Sequence, residues 1–176
     1  LAGGQLPHGL LDIMSLSTDS SSVGWDVLPS VFSAIMSARP QLRVEITAVD
    51  ALIGLDGFLE VSQQVPAFAN AIRGLILDGG LRPDAFARLS ALCKSMDTLA
   101  LLNCDVEDVK MLTGGLKCMP SLRQVGFFYP TMTPPSGIGS VILPFIFEAA
   151  LTQSQAPYFA VSFIVNVPEG DEDEAE

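Results

Sequence analysis

Six short segments of this chain carry apolar residues in one recurring spacing, and that recurrence limits the fold more than any other feature. The pattern is L-x-x-L-x-L: Leu11, Met14 and Leu16; Ile72, Leu75 and Leu77; Leu99, Leu102 and Cys104; Leu122, Val125 and Phe127; Tyr158, Val161 and Phe163. A sixth segment, Leu42, Val44 and Ile46, fits with one residue missing. Two of the segments open on nearly the same words, Pro40-Gln41-Leu42-Arg43 and Pro120-Ser121-Leu122-Arg123, with Asn70-Ala71-Ile72-Arg73 close behind. The first positions are 31, 30, 27, 23 and 36 residues apart, room for one strand and one helix per unit.

The intervening stretches read as helices. Asp84 is placed to cap a helix whose Phe86, Leu89, Leu92, Cys93 and Met96 recur at three- and four-residue steps. Leu28, Phe32, Ile35 and Met36 form a similar stripe, as do Val109, Leu112, Leu116 and Met119. Gly54 and Gly57 interrupt residues 53–65, which predicts a short or irregular helix. The run from Ile138 to Leu151 is too short to span a bilayer and reads as a core helix. Residues 130–140, with three prolines and two glycines, read as an insertion loop.

One domain is expected from 176 residues, and 49% apolar residues suffice for a large core. The net charge of −11 argues against nucleic acid or an anionic membrane as the main partner. Six of the twenty acidic residues lie between Glu169 and Glu176; nine basic against fourteen acidic residues leave the rest at −5. We read residues 1–9 as an N-terminal loop, 10–167 as the repeat-bearing domain, and 168–176 as an acidic disordered tail. The start at Leu1 reads as a processed product or a piece of a longer array.

Most catalytic chemistry is hard to build from these residues. A lone histidine, His8, excludes a histidine-based triad or a multi-histidine metal site made by this chain alone. Phosphate-loop, dinucleotide-loop and G-x-S-x-G patterns are missing from the sequence. Asp78-Gly79-Gly80 and Thr113-Gly114-Gly115-Leu116 are weak echoes of ligand-binding turns. Asp105, Glu107 and Asp108 are better explained as acids opening a helix than as metal ligands. No catalytic residue, cofactor or metal is expected, and the chain reads as a non-enzyme. Cys93, Cys104 and Cys118 sit among apolar residues without CxxC spacing and read as buried free thiols. With no N-glycosylation sequence present, they favour a reducing, cytoplasmic or nuclear location.

These segments resemble leucine-rich repeats, specifically the longer strand-helix units of the ribonuclease-inhibitor-like and F-box-associated kind. The resemblance implies an α/β solenoid of about five to six units, with parallel strands on one face and helices on the other. Such repeats usually carry Asn or Cys eight residues after the first leucine; here those positions hold Asp19, Asp50, Gly80, Glu107, Pro130 and Asn166. The alternative is a doubly wound parallel α/β domain, which also alternates strands and helices. Central strands there should be continuously apolar, whereas Leu42-Arg43-Val44-Glu45-Ile46 interleaves polar residues.

In a leucine-rich repeat the residue after the first apolar position points outward from the sheet. Here that column would hold Asp12, Arg43, Arg73, Ala100, Arg123 and Phe159. Arg43, Arg73 and Arg123 would form a basic stripe suited to an acidic or phosphorylated protein segment, or would pair with Asp12, Glu45 and Asp78. With Asp78, Phe128 and Tyr129 they are the expected partner-binding residues, an arginine and aromatic mixture typical of interaction hot spots. Trp25 reads as a core or junction anchor. The resulting expectation is a non-catalytic protein-interaction module, by resemblance a substrate-recognition region of a ubiquitin ligase. The alternatives are a structural subunit of a larger assembly, a GTPase regulator, or a small α/β enzyme with its site near Asp19, Asp50 and Asp78. A first strand at Leu11 would leave an edge for further repeats or a partner to cover.

Overall fold

A computed structural model describes residues 13–17, 28–50, 54–130, 133–152 and 158–165. His8, Leu11, Asp12, Asp19, Trp25 and the acidic tail, each given a role above, lie outside these residues.

Six strands make one all-parallel sheet: β1 (Ile13–Ser17), β2 (Arg43–Asp50), β3 (Ile72–Asp78), β4 (Thr98–Leu102), β5 (Gln124–Tyr129) and β6 (Ala160–Val165). Their order in space is their order in sequence, β1-β2-β3-β4-β5-β6. A doubly wound sheet requires a reversal of strand order so that its helices reach both faces. The observed order has none, so that alternative is not the arrangement formed.

Helices connect the strands: α1 (Leu28–Ala38) precedes β2; α2 (Leu55–Gln64) and α3 (Pro66–Ala71) precede β3. α4 (Pro83–Leu92) precedes β4, α5 (Val106–Gly115) and a 3-10 turn (Leu116–Cys118) precede β5, and α6 (Ile138–Thr152) precedes β6. Right-handed crossovers between strands in this order carry every connection over the same face. On that side, Leu75, Leu99 and Val125 are aligned and buried, as are Leu77, Leu101 and Phe127 in the next row. Phe32, Phe58, Phe68, Leu89, Leu112 and Phe145 meet them from the helices and complete one continuous core.

Local chemistry explains most of the boundaries. Asp105 caps α5 through a reciprocal box: its Oδ1 accepts from the Asp108 N–H at 2.9 Å, and Asp108 Oδ2 accepts from the Asp105 N–H at 2.8 Å. The acids singled out in the sequence are thus a helix start. α4 begins two residues earlier than its sequence pattern predicts, because Pro83 fits the first helical position and Arg82 becomes the N-cap, leaving Asp84 in the first turn. The interrupted 53–65 stretch resolves into α2, stopped by Pro66, which opens α3. Thr113-Gly114-Gly115 is the end of α5, not a loop. Gly79, with φ +92°, makes the turn after β3.

The predicted repeat register fails in the second unit, where Ile46 aligns with Leu75 instead of Leu77, and in the fourth. Leu99 aligns with Leu75 and Val125, the second position of their segments, so the fourth segment starts at Met96, which is buried. Cys118 is also exposed rather than buried, on the 3-10 turn where Leu116 takes the inward position. α6 forms as expected, but only Ile138, Ile142, Phe145 and Ala149 of it are buried.

Candidate interaction surface

Period-two alternation sends the remaining strand residues to the sheet's other face. Gly74, Thr98, Gln124 and Ala160 form one row across β3 to β6; Ile76, Ala100, Gly126 and Ser162 form the next; Asp78, Leu102, Phe128 and Ile164 the third. Among the described residues no helix lies over them. Parallel sheets ordinarily have both faces covered. Here the uncovered face carries Ile76, Leu102 and Phe128, all half-buried, beside Ala100, only 6% exposed, and Ile164, 55% exposed.

The floor of this strip is shaped by missing side chains. A Cβ on Gly126 would lie 2.2 Å from Phe128 Cε2, so the Phe128 ring occupies the space above that glycine. Likewise the Glu45 side chain lies over Gly74, its Cγ 3.4 Å from where a Cβ would be. One ring therefore covers two residues of strand and makes a flat apolar surface.

At the strand ends the strip has a polar rim. Asn103, in the left-handed region with φ +53°, donates its N–H to the Phe128 carbonyl at 2.9 Å and its Nδ2 to Asp78 Oδ1 at 3.0 Å. Asp78 is exposed, as expected of a partner-binding residue, and is oriented by that bond. Below the rim, Asp108 is buried, and its Oδ1 accepts from the Leu81 N–H at 2.7 Å. Burial raises its pKa, opposed by the backbone N–H groups of Asp105 and Leu81. It ties the turn after β3 to the start of α5.

The arginines do not form a column. With the fourth unit starting at Met96, Asp97 occupies the place predicted for Ala100. Asp97 N–H donates to the Arg73 carbonyl at 2.9 Å, and Arg123 N–H to the Asp97 carbonyl at 2.7 Å, so an acid stands between the two bases. Arg73 Nη1 donates to the Ser95 carbonyl at 2.9 Å, and Arg123 Nη1 to the Pro120 and Leu122 carbonyls, both at 2.8 Å. These guanidinium groups fasten the turns that lead into the next strands. The ladder between β2 and β3 also slips, Val44 pairing Ile72 while Glu45 pairs Gly74, which puts Arg43 out of step with Arg73. Those two do share one feature, a cleft of about 610 Å³ lined also by Gln41 and Asn70.

Tyr129 is a core residue instead of a surface anchor. It is 1% exposed, and its Oη donates to the Cys104 carbonyl at 3.0 Å and lies 3.2 Å from Cys104 Sγ. Burial, then the Cys104 bond, raises the Tyr129 pKa. Burial also pushes the thiols up, Cys93 to about 12 and Cys104 to about 11. Neither is a nucleophile at neutral pH. On the helix side, Asp56 receives Arg82 at 2.7 Å and Arg88 at 3.3 Å, an exposed inter-helix cluster.

The sequence places Asp78 and Phe128 among the partner-binding residues but gives no such role to Leu102, Gly126 or Ile164. Strict alternation from the helix-side positions Leu101, Val125 and Phe163 would have found them once the fourth unit was placed at Met96. No helix among the described residues is long and apolar enough to cross a membrane. In comparisons with known proteins, the chain matches no family model, no curated protein and no solved structure.

Proposed function

We propose that this chain is a non-catalytic protein-interaction module, a leucine-rich-repeat-like solenoid that holds a protein partner against its uncovered strand face. The observation that carries the reading is the in-register apolar strip of Ile76, Ala100, Leu102 and Phe128 on a parallel sheet face over which no helix of the described residues lies. Sequential strand order and serial packing of α4, α5 and α6 support the repeat architecture. Phe128 is the anchor, flanked by the Asp78 and Asn103 rim, and the Arg43 and Arg73 cleft gives an acidic or phosphorylated part of the partner a place at the opposite strand ends. Substrate recognition in a ubiquitin ligase is the narrower version and rests on the resemblance alone.

A second reading, a subunit of a larger assembly, is favoured by α6, where Leu143, Phe147 and Leu151 are all exposed.

The test is affinity capture from cell extract by immobilised chain at low and high salt, with bound proteins identified by mass spectrometry. A protein held by the strip survives high salt and is lost from a Leu102→Asp, Phe128→Asp variant of native circular dichroism. Loss on Arg43→Ala, Arg73→Ala assigns the cleft a share. Equal recovery by all forms would overturn the strand-face reading.

A further inference from the structure

Among the described residues, the sheet ends on β6 in a way the strand-face reading does not use. β6 is an edge strand among those residues, and its sequence, AVSFIV, contains no lysine, proline or charge, the usual protections of an edge. Phe163 and Ile164, on opposite faces of it, are 44% and 55% exposed. Above it, α6 is apolar nearly all round, with Glu148 its one charged residue. Glu148 turns towards the 3-10 turn, its Oε1 3.9 Å from Lys117 Nζ, on the α5 side. At 100° per residue, the opposite flank then carries Ile146, Leu143, Gly139 and Ala150. Leu143 is 61% exposed there.

We infer that this end is a homodimer interface whose occupant is a second copy of the chain, related by a two-fold axis perpendicular to the sheet. The hydrogen-bonding pattern fixes the register. Ala160 donates its N–H to the Arg123 carbonyl at 2.8 Å, so Ala160, Ser162 and Ile164 point their backbone groups at β5. Val161, Phe163 and Val165 therefore point theirs at the open edge. Antiparallel self-pairing centred on Phe163 uses all three, Val161 opposite Val165 of the second copy and Phe163 opposite itself.

The helices then fit without adjustment. The Phe145 ring lies 5.3 Å from that of Phe127 in β5 and 6.5 Å from that of Phe159, which leads into β6, so α6 lies across the β5 and β6 pair. With strands about 4.8 Å apart, a two-fold axis beyond β6 sets the two α6 axes roughly 10 Å apart. Packed helices are separated by about 8–10 Å. Leu143, Ile146, Tyr158, Phe163 and Ile164 together expose on the order of 500 Å² of apolar surface, taking roughly 200 Å² for a large side chain. The strand edge, Gly139 and Ala150 bring the face towards the ~800 Å² per partner of a standard stable interface. Charge agrees: molecules of net charge −11 associate best through a face without charges. Antiparallel pairing also separates the two Val165 exits, which lead to the acidic C-terminal residues, by about 13 Å, more than a Debye length at physiological salt.

Sedimentation equilibrium of the full chain, from low to high micromolar concentration, tests the inference without reference to any other partner. The expected species has twice the mass of 18.7 kDa. Leu143→Glu, on the flank facing the two-fold, should weaken association at least thirtyfold, while Phe147→Glu, on the outward back of α6, should leave it unchanged. In a Cys118→Ser background, Ser162→Cys with Ile164→Cys should link two chains under mild copper-catalysed oxidation, because those positions face each other across the axis. This measurement stands even where Leu143→Glu impairs folding. A monomer throughout the range, or a dimer that neither yields to Leu143→Glu nor crosslinks, overturns the inference. Open-ended polymers would overturn it too, since β6 of one chain would then be pairing with β1 of the next.

Discussion

Two adjacent glycines at the end of α5 should respond oppositely to the same substitution. Gly114 is exposed, and a Cβ there would meet nothing within 4 Å. Gly114→Ala removes unfolded-state freedom at no steric cost and should stabilise by about 0.5–1 kcal/mol. Gly115 has φ −95° and ψ −4°, backbone that alanine also adopts, so the same gain is on offer. Its Cβ, however, would lie 2.0 Å from Phe86 Cε1 and 2.4 Å from Cζ. Phe86 is 6% exposed in α4, and its ring would have to swing towards the cleft it lines with Ser90, Ala91 and Cys118, giving up core packing. Overpacking of this kind costs about 1–3 kcal/mol, so Gly115→Ala should come out destabilised by roughly 1–2 kcal/mol. For a chain of this size about 1 kcal/mol moves Tm by about 2–4 °C, which sends the two variants to opposite sides of the parent. Urea and thermal unfolding followed by circular dichroism would resolve the difference. Adding Phe86→Leu should recover part of the Gly115→Ala loss in a double-mutant cycle and change nothing with Gly114→Ala. Equal stabilisation by both alanines would refute the close approach of Gly115 in α5 to Phe86 in α4.

The buried polar contacts make further predictions. Asp108→Ala strands the N–H groups of Leu81 and Asp105 and should cost about 2–4 kcal/mol in urea unfolding. Because the folded-state pKa of Asp108 is raised, the wild-type advantage over Asp108→Asn is largest below the ordinary aspartate value and shrinks as pH rises through the folded value, which paired melts across that window would reveal. Tyr129→Phe leaves the Cys104 carbonyl without its donor and should cost about 1–2 kcal/mol with no change in the circular dichroism spectrum. A thiol reagent should titrate one cysteine, Cys118, in the native protein and three after denaturation, since burial holds Cys93 near 12 and Cys104 near 11.

The parallel α/β framework was legible because it rests on periodicity, and the apolar periodicity survives in the sequence even where the spacing between segments varies. The cap at Asp105 is local chemistry and left an equally local mark, whereas the start of α4 was read at Asp84 because the preference of Pro83 for the first helical position was passed over. The failure that misassigned the strand face was in the fourth unit. Leu99-Ala100-Leu101-Leu102 offers an apolar residue at every position, so the template can start at Met96 or Leu99, and only pairing with Leu75 and Val125 decides between them. Three residues of slip changed which face each side chain was assigned, replacing Asp97 by Ala100 in the arginine column. Tyr129 was misplaced for a different reason. Phe127, Phe128 and Tyr129 are all aromatic, and composition cannot say which of three consecutive aromatics lies outward; alternation from the buried Val125 does.

The same slip explains why charge looked like the organising feature of the strand face when shape is. Arg73 and Arg123 are spent on the carbonyls of Ser95, Pro120 and Leu122, holding the turns between a helix and the next strand. What remains on the face is relief: small residues at Ala100, Gly126 and Ser162, with Phe128 folded over one of them. If two copies join through β6, the row of Leu102, Phe128 and Ile164 runs on into Ser162 of the second copy without a break in the sheet. A partner long enough to follow that row would meet two Phe128 anchors related by the two-fold. Its apparent affinity would then exceed that for a monomeric Leu143→Glu chain by the effective concentration of the second anchor, a gain of up to about 10²–10⁴-fold, provided its own two contacts span the dyad. A partner with one contact site would bind both forms equally, and comparing the two would show whether the strand face and the chain end serve one recognition event or two.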